Sequence, residues 1–330
     1  MANKEQKTMG FLISSKNNEL RRALLPEDIS KIKNKSKLVF ESGYGKCLGF
    51  DDADYIAAGA KIDTRENVLK CDILVDVKLD SANYLNKISN GKTLVGWAHA
   101  TQQVEFAGAA MKGGHTIIAW EEIYEGGRYI FYRNREIAGE AAIMHGFRYS
   151  NKMPYDANVC VVGNGQTAKG ALRVLHGLGT KNLDIYPRKF EKLFREKMFD
   201  YDVIVNCVMW DTTRTDRLIY KEELKKFKPG SLIIDVTCNI NLEVETTRPT
   251  TIDDPVYTVD GIVHYAVDNT PAMYPHTVTL ILSSVFANYV DEILESKYSK
   301  PVENAIVIKE GKIVSEEIRK FREKRNLFVQ

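Results

Sequence analysis

The chain has 330 residues, 44% hydrophobic and 27% charged, with a formal net charge of +2; this is the make-up of a globular protein long enough for about two domains. A near-neutral balance without a long run of one sign excludes a surface that coats nucleic acid, which needs a clear basic excess. The first apolar stretch is too short for a signal peptide and no later run reaches the length of a membrane span, so the expectation is a cytoplasmic protein with no membrane partner.

In chain order, "TMGFLISS" and "KLVFESG" read as strands, with helical patterns in "LPEDISKIK" and "DDADYIAAGA" after each. "CDILVDVK" and "TLVGWAHA" are β-like runs with polar ends. "QVEFAGAAMKGG" is helical and "HTIIAWEEI" strand-like. This alternation predicts an open parallel sheet. "REIAGEAAIMHGFRYS" (135–150) reads as a helix with small residues suited to close packing. A second alternating set follows, from "NVCVVG" through "NLDIYP", "DVIVNCV" and "SLIIDV" to "GIVHYAV". The end of the chain gives a long amphipathic helix from about residue 275, a hairpin turning at "KEGK", and a charged helix. The prediction is α/β: two Rossmann-like domains with parallel sheets and a cleft between them. The five cysteines are scattered, and Cys160, Cys207 and Cys238 read as small core residues in a reducing compartment. His145, His176 and His264 lack metal-ligand spacing and read as structural, so no metal is expected.

The segment "VCVVGNGQTAKGALRVL" places Gly163, Gly165 and Ala168 between a strand and a helix, with Gln166 and Thr167 at the helix start. Gly163 allows the tight turn, Gly165 allows backbone to approach a pyrophosphate, and Ala168 lets the helix pack on the strand. At the end of the next strand, where an acidic residue would hold an adenosine ribose, the chain has "DIYPRK". Arg188 and Lys189 would attract a 2′-phosphate, so the spacing selects NADPH over NADH; Asp184 falls too early in the strand to reach the ribose.

The ordered set "NNELRRALLPEDI", "FESGYGKCLGFDDADYIAAGAKI", "ILVDVK", "GWAHA" and "TTIDDPVYTVDGIVHYAVDNTPAMYPHT" resembles the alanine dehydrogenase and pyridine nucleotide transhydrogenase family, and within it the carboxyethylornithine synthase branch. The resemblance covers nearly the whole chain. It implies a substrate domain of residues 1–133 plus 275–330, an NADP-binding domain of residues 134–274, and a homo-oligomer. It also implies joining of pyruvate to the side-chain amine of ornithine or lysine, with reduction of the imine by NADPH. On the matching motifs it implies that Arg21 holds the keto-acid carboxylate, that Lys78 contacts the substrate oxygen, and that His99 moves protons. Arg22 is expected to face elsewhere. A lysine at the end of an apolar strand is a costly place for an unpaired charge, which favours a role for Lys78.

One position departs from the family pattern. Where the family often carries an aspartate near substrate and nicotinamide ribose, this chain has Asn239, followed by Asn241 and Leu242 in place of glycines. Asparagine forms hydrogen bonds but takes no proton at working pH. This counts against an ammonia-using alanine dehydrogenase, in which that carboxylate assists the chemistry, and is the one feature that favours a non-catalytic NADP(H)-binding sensor. An alanine dehydrogenase, a saccharopine-dehydrogenase-like enzyme and such a sensor are the alternatives to the ornithine-condensing reading. Glu121, Glu122 and Glu125 read as a solvated acidic loop, with recognition of a distal amine as the other reading; Glu140 is a further candidate on its helix.

Overall fold

The structure is a computed structural model that describes residues 7–211, 214–240 and 242–327; Asn241 lies outside the described residues. The chain divides into two compact units, residues 1–131 with 275–330 and residues 132–274.

The chain begins with β1 (Met9–Phe11), α1 (Pro26–Ile29), β2 (Leu38–Glu41), α2 (Asp52–Ala57), β3 (Lys61–Asp63), α3 (Arg65–Val68), β4 (Ile73–Val75), β5 (Thr93–Gly96), α4 (Val104–Lys112) and β6 (Thr116–Ala119). A small hairpin of β7 (Tyr124–Glu125) and β8 (Arg128–Tyr129) follows. The second unit opens with α5 (Tyr132–Gly146). It continues through β9 (Asn158–Val162), α6 (Gln166–Gly177), β10 (Asn182–Tyr186), α7 (Glu191–Lys197), β11 (Val203–Asn206), β12 (Leu232–Asp235), β13 (Val256–Val259) and β14 (Ile262–Tyr265). The chain then returns to the first unit with α8 (Pro275–Glu295), α9 (Lys300–Asn304), β15 (Ile306–Lys309), β16 (Lys312–Ile313) and α10 (Glu316–Glu323).

In the first unit the strand order is β16-β15-β6-β5-β4-β1-β2-β3, with β1 to β6 mutually parallel and the β15–β16 hairpin at one edge, where β15 runs antiparallel to β6. In the second it is β10-β9-β11-β12-β14-β13, parallel except for β13. Parallel strands covered on both faces read as continuous apolar runs, and β4, β5, β11 and β12 are buried throughout. The sheets are therefore mixed at their edges rather than wholly parallel. Both antiparallel additions are two-residue hairpins, through Asp260–Gly261 and Glu310–Gly311, where all four residues have positive φ. That backbone suits a primed turn, for which Asp260–Gly261 is a favoured pair.

Helix α8 corrects the expectation that no run reaches membrane-span length: by length and composition its 21 residues suffice to cross a bilayer. Its buried face, including Val278, Leu282, Phe286, Val290 and Ile293, belongs instead to the core of the first unit, and Thr279 and Ser283 on that face donate no stray polar group to it. Their hydroxyls accept the N–H groups of Arg22 and Leu25 at 2.9 and 2.8 Å. Cys160 and Cys207 lie in the core as expected, but Cys238 is half-buried in a loop with φ 56°. It has left the strand because β12 ends three residues earlier, at Asp235.

Candidate active site

In the first unit, the segments after the carboxyl ends of β1, β4, β5 and β6 carry Arg21, Lys78, His99 and Glu121 respectively. The order reverses at β1, which has β2 on one side and β4 on the other. Open parallel sheets bind ligands outside the carboxyl ends of their strands at such a reversal.

Arg21 is 1% exposed, so it is no surface cation. Its Nε and Nη2 donate to the two carboxylate oxygens of Glu19 at 2.8 and 2.6 Å. Its guanidinium lies 4.7 Å from the centre of the Trp97 ring, a favourable cation–π placement. Arg22 turns away as expected: its Nε donates to the Tyr44 carbonyl and its Nη1 to the Arg21 carbonyl. Trp97 ties Arg21 to the lysine and histidine, because Trp97 N–H donates to the Val77 carbonyl and the Trp97 carbonyl accepts from Asp80 N–H.

Lys78 is buried but not unpaired, which corrects the premise drawn from its position. Its Nζ donates to Asp80 Oδ2 at 2.9 Å. The same oxygen lies 2.6 Å from His99 Nδ1. Burial opposes ionisation of Asp80, but the His99 contact and the Lys78 charge overcome it and hold the carboxyl well below its ordinary range. Asp80 therefore works as a fixed anion that places an ammonium and an imidazole side by side. Behind it, buried Asp76 accepts from Lys78 N–H and the Tyr84 hydroxyl; burial pushes its carboxyl up to about 6.

His99 has φ 39°, a conformation that costs an L-residue about 1–3 kcal/mol and persists only where the surroundings impose it. Glu121 imposes it: its carboxylate accepts the backbone N–H groups of Ala98 and His99. Glu121 is thus an anchor for the histidine turn and not part of a solvated loop. Glu125 accepts from the Tyr289 hydroxyl at 3.2 Å. Gly96 opens the same turn with φ 154°, and a Cβ there would meet the Asp76 carbonyl oxygen at 1.8 Å, so only glycine fits.

In the second unit the order reverses at β9, between β10 and β11. Gly163, with φ 116°, follows β9, and its N–H donates to the Tyr186 carbonyl at the end of β10. A Cβ on Gly163 would sit 2.9 Å from the Cys207 carbonyl oxygen, whereas one on Gly165 would meet nothing within 4 Å. The first glycine is a packing requirement, and the second leaves the N-terminus of α6 open to a ligand. Gln166 and Thr167 form the first turn of α6, and Ala168 is fully buried against the sheet. The turn thus has the cradle a pyrophosphate needs. Arg188 and Lys189 are exposed in a short helical turn directly after Pro187, beside the strand end that accepts from Gly163. Asp184 accepts from the Tyr201 hydroxyl at 2.6 Å, which occupies the one carboxylate of that strand.

Asn239 is also in this unit, after β12, and its Nδ2 donates to Glu243 Oε1 at 3.0 Å. Arg21, Lys78 and His99 converge in the first unit; Asn239, the glycine turn, Arg188 and Lys189 are built on the second. Glu140 pairs with Arg173 and Arg133. His145 contacts the Tyr265 hydroxyl and His264 contacts Thr246, which are structural contacts. Sequence reasoning missed Asp80, Glu19 and Glu243. "DVKLD" and "NELRR" contained a signal, an acid two positions from the cation; nothing local distinguishes Glu243 from Glu245.

The alanine dehydrogenase/PNT N-terminal domain model matches residues 14–130 and the corresponding C-terminal domain model matches residues 167–317. A Clostridium botulinum protein named N(5)-(carboxyethyl)ornithine synthase is 28% identical over 312 residues, 89% of this chain and 95% of that one. The alanine dehydrogenase of Halomonas elongata is likewise 28% identical, over 322 residues, 86% of this chain and 87% of that one. Among solved structures, an L-alanine dehydrogenase superposes with a TM-score of 0.80 at 20% identity, covering 96% of this chain and 99% of that chain. A transhydrogenase from Sinorhizobium meliloti gives 0.77 at 18%, covering 94% and 99%. These structural likenesses carry the two-domain α/β fold.

Proposed function

The chain belongs to the alanine dehydrogenase/pyridine nucleotide transhydrogenase family, and from that premise we propose that it is an NADPH-dependent oxidoreductase of the opine-forming type, which condenses pyruvate with the side-chain amine of ornithine or lysine. The observation that carries the reading is the convergence of Arg21, Lys78 and His99 around Trp97 and Asp80 at the carboxyl edge of one sheet. Arg21 grips the carboxylate of the 2-oxo acid and Lys78 contacts its oxo group. His99, oriented by Asp80, moves the protons that loss of water from the carbinolamine requires. The nicotinamide nucleotide, when bound at the glycine turn, supplies hydride for reduction of the imine.

Arg21 meets its ligand with its fork already aligned by Glu19. A second carboxylate must therefore share the guanidinium with Glu19 or displace it, which favours a small keto acid over a bulky one. The names of the relatives support both an ornithine-condensing and an ammonia-using reading. The neutral side chain at Asn239 favours the former.

The test is NADPH oxidation with pyruvate and a panel of amines. Ornithine or lysine is expected to drive turnover that rises with pH above neutrality, because the attacking amine must be uncharged; ammonia is expected to be poor even at high concentration. A diamino acid brings a remote ammonium and carboxylate that orient the reacting nitrogen, and ammonia has no such handle. Robust turnover with ammonia and none with either diamino acid would move the assignment to alanine dehydrogenase.

The cofactor choice has its own check. With Arg188 exposed beside the glycine turn and Asp184 capped by Tyr201, Arg188→Ala should weaken NADPH binding about 10–100-fold and barely change NADH, the scale of one charge-assisted contact to phosphate. Equal losses for the two nucleotides, measured by fluorescence titration, would remove the basis for the NADP reading.

A further inference from the structure

The loop after β12 contains more buried acid than its hydrogen bonds can accommodate in ionised form. The Thr237 hydroxyl lies 2.7 Å from Asp235 Oδ1 and 2.6 Å from Glu243 Oε1. A hydroxyl has one proton and satisfies only one of two carboxylates. The other short contact needs a proton of its own. Asp235 already accepts from Asn206 Nδ2, Thr237 N–H and the Thr247 hydroxyl, at 3.0, 3.2 and 2.6 Å, which is the setting of an anion. Glu243 is fully buried. Its Oε2 has no partner among the described residues, and a bare anionic oxygen there would cost far more than a bare carbonyl.

We propose that Glu243 is a positioning residue held as the neutral acid: it donates to Thr237, which donates to Asp235, and the locked loop turns the Asn239 carboxamide so that Nδ2 faces Glu243 and Oδ1 is left to accept from a bound ligand. The line Glu243–Thr237–Asp235 spans from the end of β12 to the far side of the loop. It fixes Asn239, whose Nδ2 donates to Glu243 Oε1. Asn239 then presents an uncharged acceptor, suited to an N–H or O–H donor of substrate or nucleotide. The other titratable groups around the line are Cys238 in the loop, Tyr257 on β13 with Arg248 across its ring, and His264 on β14. Burial pushes the tyrosine up and the histidine down, so both stay neutral. Burial, reinforced by the charge of Asp235, also pushes Glu243 up, to about 7.

Three measurements test this. Infrared spectra at pH 6 should contain the carbonyl stretch of a buried protonated carboxylic acid that disappears in Glu243→Gln; no difference would overturn the proposal. A carboxyl raised in the folded state stabilises below its unfolded value and loses that contribution as pH rises through the folded value. The melting temperature of Glu243→Gln should therefore gain on the parent as pH is raised from 5 to 8, and parallel profiles would also overturn it. The kinetic arm rests on the function proposed above. Glu243→Ala, which frees the Asn239 carboxamide, should raise the KM of either the amine or NADPH about ten-fold, the scale of one oriented hydrogen bond, with a smaller change in kcat; unchanged KM values for both would refute the positioning role. The first two readouts need no turnover, so their failure counts against Glu243 alone, whereas inactivity of the parent with every amine counts against the proposed reaction.

Discussion

His99→Gln is expected to lower turnover by about 10²–10⁴-fold, the range for removing a positioned acid or base, while NADPH affinity stays within a few-fold of the parent. Glutamine is the informative replacement. Its amide can still donate to Asp80, so the anion that also holds Lys78 keeps a partner. It cannot bind or release a proton near neutral pH. The turn should survive, because Glu121 grips the backbone N–H groups of residues 98 and 99 and not the ring. The glycine turn is built on the other sheet. The check is kcat and nucleotide affinity measured side by side across pH, with thermal melting to establish that the variant folds. Near-normal turnover across pH would show that another group moves the proton.

Much of this was legible in the sequence because the signals were local. The apolar runs of β9, β11 and β12, the turn at Gly163 and Gly165, and the "KEGK" hairpin each need only neighbouring residues to be recognised. Strand β13 was missed although "VDG" before β14 offered the turn, since a half-exposed strand of four residues has little periodicity. The partners of the charged groups were the harder part. Lys78 gave the impression of an uncompensated cation because its pairing depends on the chain reversing within two residues, through a short 3-10 turn that brings Asp80 under the ammonium. Glu121 read as solvated because its role depends on β6 lying beside β5, a tertiary fact that composition does not encode. The same holds for Glu243, which only the fold brings against Thr237 and Asp235. Pattern identifies the cations and the histidine; the fold supplies the anions that orient them.

Asp80 gives the second large effect, and it separates stability from chemistry. Its side chain is 3% exposed and that of Lys78 is 9% exposed, so removing the carboxylate leaves a buried ammonium with no counter-charge. Asp80→Asn should destabilise the first unit by about 3–5 kcal/mol at neutral pH, the usual cost of breaking a buried ion pair from one side. The pH dependence has a definite sign. The carboxyl is depressed in the folded state, so its contribution is fully present above the unfolded value near 3.8 and is lost as pH falls through the lower folded value. The stability gap between parent and variant, from urea unfolding, should therefore narrow on acidification below about pH 4. Adding Lys78→Met removes the stranded charge and should recover most of the lost stability, because no uncompensated charge is then left buried. On the reaction proposed above it should not recover turnover, since His99 has lost the anion that orients it and the ammonium proposed to contact the keto group is gone. If the double variant regains both stability and activity, Lys78 and Asp80 are a structural pair alone, and the keto-acid site must be sought away from the ends of β4 and β5.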